Sequence, residues 1–189
     1  MPVSILAVCT GNICRSPALE RLLRRDLGPA VRVVSAGTQA RATSPIDGPM
    51  VALLDADGLP TARFSARQLN ESSITNADLI LTATAAHRSA VVRLVPAAVR
   101  RTFTLLELAM LVSTIDPVEL PHDISVRIAA LPAAASAQRS KHLGRHELDI
   151  PDPYGRRPRT YRKVYEQIRT AEAEIARVLV HEPAHRESD

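Results

Sequence analysis

Val8-Cys9-Thr10-Gly11-Asn12-Ile13-Cys14-Arg15-Ser16-Pro17 joins an apolar run, Val3 to Val8, to an amphipathic one, Pro17 to Leu27. It reads as a strand, a tight loop and the start of a helix. A loop so placed turns successive backbone N–H groups, with the positive end of the helix dipole, toward whatever sits in its mouth. That makes an anion cradle. Cys9 stands at its rim, and Arg15 closes it with a planar guanidinium that can grip two oxygens of a phosphate at once.

The residue types fit that chemistry. A thiol ordinarily loses its proton at about pH 8.5, and a helix N-terminus with neighbouring cations favours the thiolate, so Cys9 is expected to be ionised near neutrality and to attack phosphorus. Gly11 permits a backbone conformation that a Cβ would obstruct, and Asn12 tolerates left-handed geometry. Ser16 is expected to cap the helix and to offer its hydroxyl to the sulfur, with Pro17 at the first helical position.

Outward from this loop the chain alternates strand and helix signals. Val3 to Val8 suits a buried parallel strand, and Pro17 to Leu27 places Leu19, Leu22, Leu23 and Leu27 on one helical face against Arg21, Arg24 and Arg25. Gly28-Pro29 ends that helix. Val31 to Ser35 reads as a second strand running out at Ala36-Gly37, and Asp47 to Asp57 as a helix closed by Gly58. Ala77 to Thr82 is a third strand, Ala85 to Leu94 a helix, Arg101 to Thr104 a fourth strand and Leu105 to Leu111 another helix. Val164, Ile168, Ala171, Ile175, Val178 and Leu179 recur at helical spacing and predict a long final helix from Thr160 to about Val180. Such alternation argues for a parallel sheet with helices on both faces, whose ligands bind beyond the carboxyl ends of the strands, where Cys9 falls. Between Val112 and Leu148 (112–148) the sequence is rich in Pro and Ala, and reads as a passive, poorly ordered surface insertion with one short helix near Asp123 to Leu131.

At 189 residues the chain fits one domain, residues 1–181, followed by a polar tail at 182–189. The net charge of +4 invites a nucleic-acid reading, but the 24 basic residues, all arginine except Lys141 and Lys163, are interleaved with 20 acids. With three tyrosines, two phenylalanines and no tryptophan, no nucleic-acid partner is expected; mild positive charge instead attracts an anionic substrate. Met1 to Val8 lacks a basic leader, and no run approaches the roughly 18 apolar residues of a membrane span, so no membrane partner and a cytoplasmic location are expected. Two cysteines in one loop do not make a secreted disulfide framework, and in a reducing compartment they point to reactivity.

Cys9 to Pro17 closely resembles the phosphate-binding loop of the low-molecular-weight protein tyrosine phosphatases of bacterial type, and Asp152-Pro153-Tyr154-Gly155 looks like their general-acid loop. The pairing gives the match its specificity, since Cys-x5-Arg alone is a short pattern. The resemblance spans nearly the whole chain and implies a four-stranded parallel sheet in a Rossmann-like, doubly wound, three-layer α/β/α arrangement. It implies a phosphomonoester hydrolase acting on tyrosine-phosphorylated protein, as a monomer or weak dimer, with no cofactor and no metal. Cys9 would attack in line to give a phosphocysteine, while Arg15 with Thr10, Gly11, Asn12, Ile13, Cys14 and Ser16 holds the phosphoryl oxygens. Asp152 would protonate the leaving group and then take a proton from the attacking water. Asn12 and Ser35 would hold the loop shape, Tyr154 and Ile13 would line the mouth, and Cys14 could trap oxidised Cys9 as a reversible disulfide.

In the protein-arginine phosphatase branch of that family a threonine takes the place of Ile13, which favours phosphotyrosine here. The Gln39 to Thr43 loop lacks the aromatic often seen there in the phosphotyrosine enzymes. Protein-arginine phosphatase and arsenate reductase are the alternatives on the same fold; a non-catalytic phosphate-binding or redox-sensing module is the competing class. A sensor has no use for Asp152, nor a binder for Cys9. His181-Glu182-Pro183-Ala184-His185 spells a zinc-protease pattern, but Pro183 breaks the helix that would bring both imidazoles to one face. His142 and His146 share that spacing and read as solvated side chains.

Overall fold

A computed structural model describes residues 3–142 and 148–180. Strand β1 (Ser4–Cys9) leads through the cysteine loop into helix α1 (Arg15–Leu27), followed by β2 (Arg32–Gly37), α2 (Gly48–Ala56) and the short α3 (Glu71–Thr75). Then come β3 (Leu79–Thr82), α4 (Ala85–Leu94), β4 (Thr102–Thr104), α5 (Leu105–Val112), α6 (Ile124–Ala137) and α7 (Pro158–Leu179). The four strands are parallel in the order β2-β1-β3-β4, with Ile5 opposite Val33 and Leu79, and Ile80 opposite Thr102. The chain leaves β1 toward one edge and returns for β3 on its other side, so Cys9 ends the strand where the winding reverses. That switch point is where open α/β sheets open a crevice for ligands.

Alternation along β1 builds two cores. Ile5 and Ala7 pack with α1, α2, α5, α6 and α7, while Leu6 and Val8 pack on the other face with Ile74 of α3 and Val91 of α4. The fold is the doubly wound, three-layer α/β/α arrangement. Helix α1 begins at Arg15, two residues before Pro17, so Pro17 is not its first residue, and Ser16 lies inside the first turn rather than capping it.

The region from 112 to 148 is where the sequence reading needs correction. The short helix expected near Asp123 to Leu131 is present, but the described part of the region is not a passive surface excursion. Helix α6 is capped by Asp123, whose Oδ1 accepts from Ser125 and Val126 N–H, and it runs past Pro132 to Ala137. Ile128, Leu131 and Ala135 are fully buried in the larger core. Their burial outweighs the local cost of a proline inside a helix, which the sequence pattern treats as a stop. Arg127 is also buried, and its guanidinium donates to the carbonyls of Pro117, Leu120, Pro121 and Val178. One side chain therefore ties the segment before α6 to the last turn of α7. His146 and the His181 to His185 stretch lie outside the described residues, as does the side chain of His142.

Candidate active site

The cysteine loop is held from outside by its own carbonyls. Cys9 O accepts from Thr38 N–H at 2.9 Å, Thr10 O from Gln39 at 3.0 Å, Gly11 O from Arg41 at 3.0 Å and Ile13 O from Asp47 at 2.9 Å. Because C=O and N–H point oppositely across a trans peptide, turning these carbonyls outward aims the N–H groups of Thr10, Gly11, Asn12 and Cys14 toward the concave side. Gly37 makes the clamp possible: a Cβ there would stand 2.4 Å from Thr10 O and 2.9 Å from Asn12 N.

Asn12 sits at φ 53°, in the left-handed region expected of it, and is fully buried. Its Oδ1 accepts from Arg67 N–H at 2.8 Å, which fixes the amide so that Nδ2 donates to both Ser16 Oγ and Ser35 Oγ at 2.9 Å. Ser35 in turn donates to Glu20, a buried carboxylate on α1 that also pairs with Arg24 at 2.8 Å. Ser16 Oγ, already an acceptor from Asn12, lies 3.0 Å from Cys9 Sγ, with Ala36 O farther away at 3.4 Å. Its proton is therefore available to the sulfur. The line Glu20, Ser35, Asn12, Ser16, Cys9 joins residues named from sequence to one that was not. Glu20 looks like an ordinary exposed helix glutamate in the sequence; nothing local marks it.

Arg15 is almost wholly buried. Its Nη1 donates to Ile150 O at 3.0 Å, and its Nη2 lies 3.3 Å from Thr10 Oγ1 and 2.8 Å from Asp152 Oδ2. Asp152 thus stands over the loop although 143 positions separate it from Cys9 in the chain. Its segment is docked onto the turn after β3, with Ile150 N–H donating to Ala83 O and Asp149 accepting from Ala85 N–H at the start of α4. Tyr154 follows on a turn closed by Arg156 N–H to Pro153 O, with Gly155 at φ 70°. Its ring is half exposed, and the Arg41 guanidinium lies 4.3 Å from its centre.

These groups line a cleft of about 230 Å³ bounded by Cys9, Gly11, Ile13, Arg15, Asp152 and Tyr154, with Gln39 and Arg41 at its edge. Ile13 is buried in its wall. Cys14 also reaches the cleft, and burial, reinforced by the negative charge of Asp47, pushes its thiol up to about 12, so it remains protonated.

His87 was not foreseen. At the start of α4 it is buried, with Nε2 2.9 Å from Thr10 Oγ1 and Nδ1 2.7 Å from Thr84 Oγ1. Burial and then the nearby Arg15 charge pull its imidazole down to about 4, so it is neutral beside the cradle and adds no charge to it. The only sequence trace is Thr84-x-x-His87, a helix-cap spacing without chemical meaning of its own.

Residues 4–122 match the family described as low molecular weight phosphotyrosine protein phosphatase. The Etp low-molecular-weight protein-tyrosine-phosphatase of Escherichia coli is 33% identical over 142 residues, covering 75% of this chain and 95% of that protein. A protein-arginine-phosphatase of Geobacillus stearothermophilus is 39% identical over 105 residues, covering 56% of this chain and 70% of that one. The crystal structure of the Erwinia amylovora tyrosine phosphatase AmsI superposes with a TM-score of 0.71 at 25% identity, covering 96% of this chain and 95% of that one. The loop, the sheet that presents it and these matches agree: the chain belongs to the low-molecular-weight protein tyrosine phosphatase family.

Proposed function

We propose that the protein hydrolyses phosphotyrosine in proteins through a phosphocysteine. The observation that carries this reading is the convergence on one cleft of Cys9 Sγ, held 3.0 Å from Ser16 Oγ, and of Arg15 paired with Asp152 at 2.8 Å. In the first step Cys9 sulfur bonds to phosphorus as the P–O bond to the tyrosyl oxygen breaks, and Asp152 delivers a proton to that departing oxygen. In the second, water attacks phosphorus, Asp152 accepts its proton, the P–S bond breaks and inorganic phosphate leaves with Cys9 restored. Arg15 and the inward N–H groups meet the charge that builds on the equatorial oxygens. Asp152 Oδ2 on Arg15 marks where that guanidinium receives an anionic oxygen; a phosphoryl oxygen competing for Nη2 would displace the carboxylate, which takes up a proton from solvent beside the dianionic phosphate and presents it to the leaving group.

Two features favour the tyrosyl ester over a phosphoarginine substrate. Ile13 supplies an apolar wall suited to an aromatic ring, and Tyr154 lines the same cleft. Arg41 adds a cation at the rim, which repels the guanidinium that phosphoarginine carries. Cys14 lies in the same loop, and its attack on a Cys9 sulfenic acid formed by peroxide would release water and protect the nucleophile, at a rate held down by the raised Cys14 thiol, since the thiolate is the attacking form. Both cysteines are free thiols, which suits a reducing cytoplasm, and no described helix is long and apolar enough to cross a membrane.

The test is turnover of aryl phosphates and a phosphotyrosine peptide, with acid-quench trapping of the phosphoenzyme. Cys9→Ser and Arg15→Ala should abolish hydrolysis. Asp152→Ala should slow esters of weakly acidic phenols by about a hundredfold or more while sparing those with good leaving groups. Full activity of Asp152→Ala on weakly acidic phenols would refute the acid assignment; a label that never appears on Cys9 would refute the covalent route.

A further inference from the structure

We infer that Arg41, with the exposed arginines of the turn after Tyr154, forms a fixed positive rim that selects phosphotyrosine segments bearing Asp or Glu beside the modified residue. This rests on the phosphotyrosine reading above and names the substrate subset that the same cleft prefers. The rim is built on stiff backbone. Residues 38–41 are stitched to the cysteine loop by the Thr38, Gln39 and Arg41 N–H bonds, and Gln68 clamps them from behind, its Oε1 accepting from Ala40 N–H and its Nε2 donating to Thr38 O. Arg41 therefore keeps a set position relative to Cys9, although its residue is exposed.

Its side chain is set as well. The guanidinium lies over the Tyr154 ring at 4.3 Å, so its carbon face is covered while its N–H edges stay free for a carboxylate. Among the described residues Arg41 makes no ion pair, and the one acid lining the cleft, Asp152, faces inward to Arg15. Arg156 and Arg157, both exposed, extend the positive surface along the turn that carries Tyr154. A tyrosyl ring seated in the cleft that Ile13, Tyr154 and Arg41 line brings the substrate backbone to this rim, where Arg41 stands. An acid next to the phosphotyrosine then gains a bidentate partner, and a lysine there meets like charge.

The experiment compares kcat/KM for three peptides of equal length, whose phosphotyrosine is flanked by glutamates, by glutamines or by lysines, at about 0.05 M and about 0.5 M salt. The acidic peptide should exceed the basic one by about fivefold at low salt, a ratio that shrinks toward one at high salt. Arg41→Glu should invert the order of acidic and basic peptides, a gain that misfolding cannot mimic, and Arg41→Gln should bring the ratio within about twofold of one. Equal kcat/KM for the three peptides, or an unchanged preference in Arg41→Glu, overturns the inference while leaving phosphotyrosine hydrolysis intact. No turnover of any peptide or aryl phosphate overturns the underlying reading, and the inference with it.

Discussion

His87 shows how a side chain can serve this site without touching phosphorus. Thr84 Oγ1 caps α4 by accepting His87 N–H and also meets Nδ1, while Nε2 reaches Thr10 Oγ1, which Arg15 contacts in turn. The imidazole links the turn after β3 to the cradle and fixes the Thr10 rotamer. His87→Ala should lower kcat/KM for an aryl phosphate by about tenfold, the worth of roughly one buried hydrogen bond, and His87→Gln should recover part of it. Since the imidazole stays neutral above about pH 4, the wild-type rate profile should show no ionisation from His87 between about pH 5 and 8. An unchanged kcat/KM in His87→Ala would show that Thr10 needs no such support. The residues legible in the sequence are those whose type is tied to the chemistry: a thiol, a guanidinium and a carboxylate beside proline. His87 and Glu20 were illegible because they act through partners far away in the chain, and a buried histidine or glutamate is spelled like an exposed one.

At the level of elements, α6 and the acid segment teach the same lesson in opposite senses. Asp152-Pro153-Tyr154-Gly155 was legible through its resemblance to the family's general-acid loop, whereas the docking of its segment was not, since that rests on one backbone bond, Ile150 N–H to Ala83 O, and on the Asp149 carboxylate accepting from Ala85 N–H far away in the chain. Helix α6 was legible only as a short helix near Asp123 to Leu131; its run past Pro132 and its burial were not, because alanine-rich, proline-broken sequence looks unstructured and because Arg127 finds its partners among carbonyls, which carry no residue identity. The apolar spacing of Ile128, Leu131 and Ala135 was the available signal. Arg127→Met should destabilise the protein by about 3 kcal/mol, because the buried carbonyls of Leu120 and Val178 lose their donor together and the half-buried ones of Pro117 and Pro121 lose a bond each. Equilibrium denaturation measures it, and a midpoint within error of wild type would mean those carbonyls find other donors. Val178 O belongs to the C-terminal end of α7, where a cation also meets the helix dipole, so much of the loss should appear as fraying of α7 in hydrogen exchange.

Across the whole molecule, the parallel sheet could be read because its strands are short, continuous apolar runs alternating with helical segments, while the strand order β2-β1-β3-β4 came from the structure. The packing of the first helix on the last could not, since both are merely amphipathic. At that contact Glu172 of α7 is fully buried beside Asp26 and Arg25 at the end of α1. Burial, with the Asp26 charge added, raises the Glu172 carboxyl to about 8, while Arg25 holds Asp26 below its ordinary value. The folded protein therefore keeps a proton on Glu172 that the unfolded chain releases near 4.5, the ordinary value for a glutamate. Between those two points the unfolded state binds fewer protons, so stability falls as pH rises from about 4.5 to about 8 and levels off above it. Asp26 acts in a separate window: with its folded value depressed, its contribution is lost only as pH falls below the unfolded value of 3.8. Glu172→Gln replaces the protonated acid with a neutral group of the same shape. It should remove the slope between those limits and make the protein more stable than wild type at pH 8 by a few kcal/mol, each pKa unit being worth about 1.4 kcal/mol. Urea unfolding of both proteins at several pH values measures this, and parallel curves for the two would show that Glu172 is ionised in the native state.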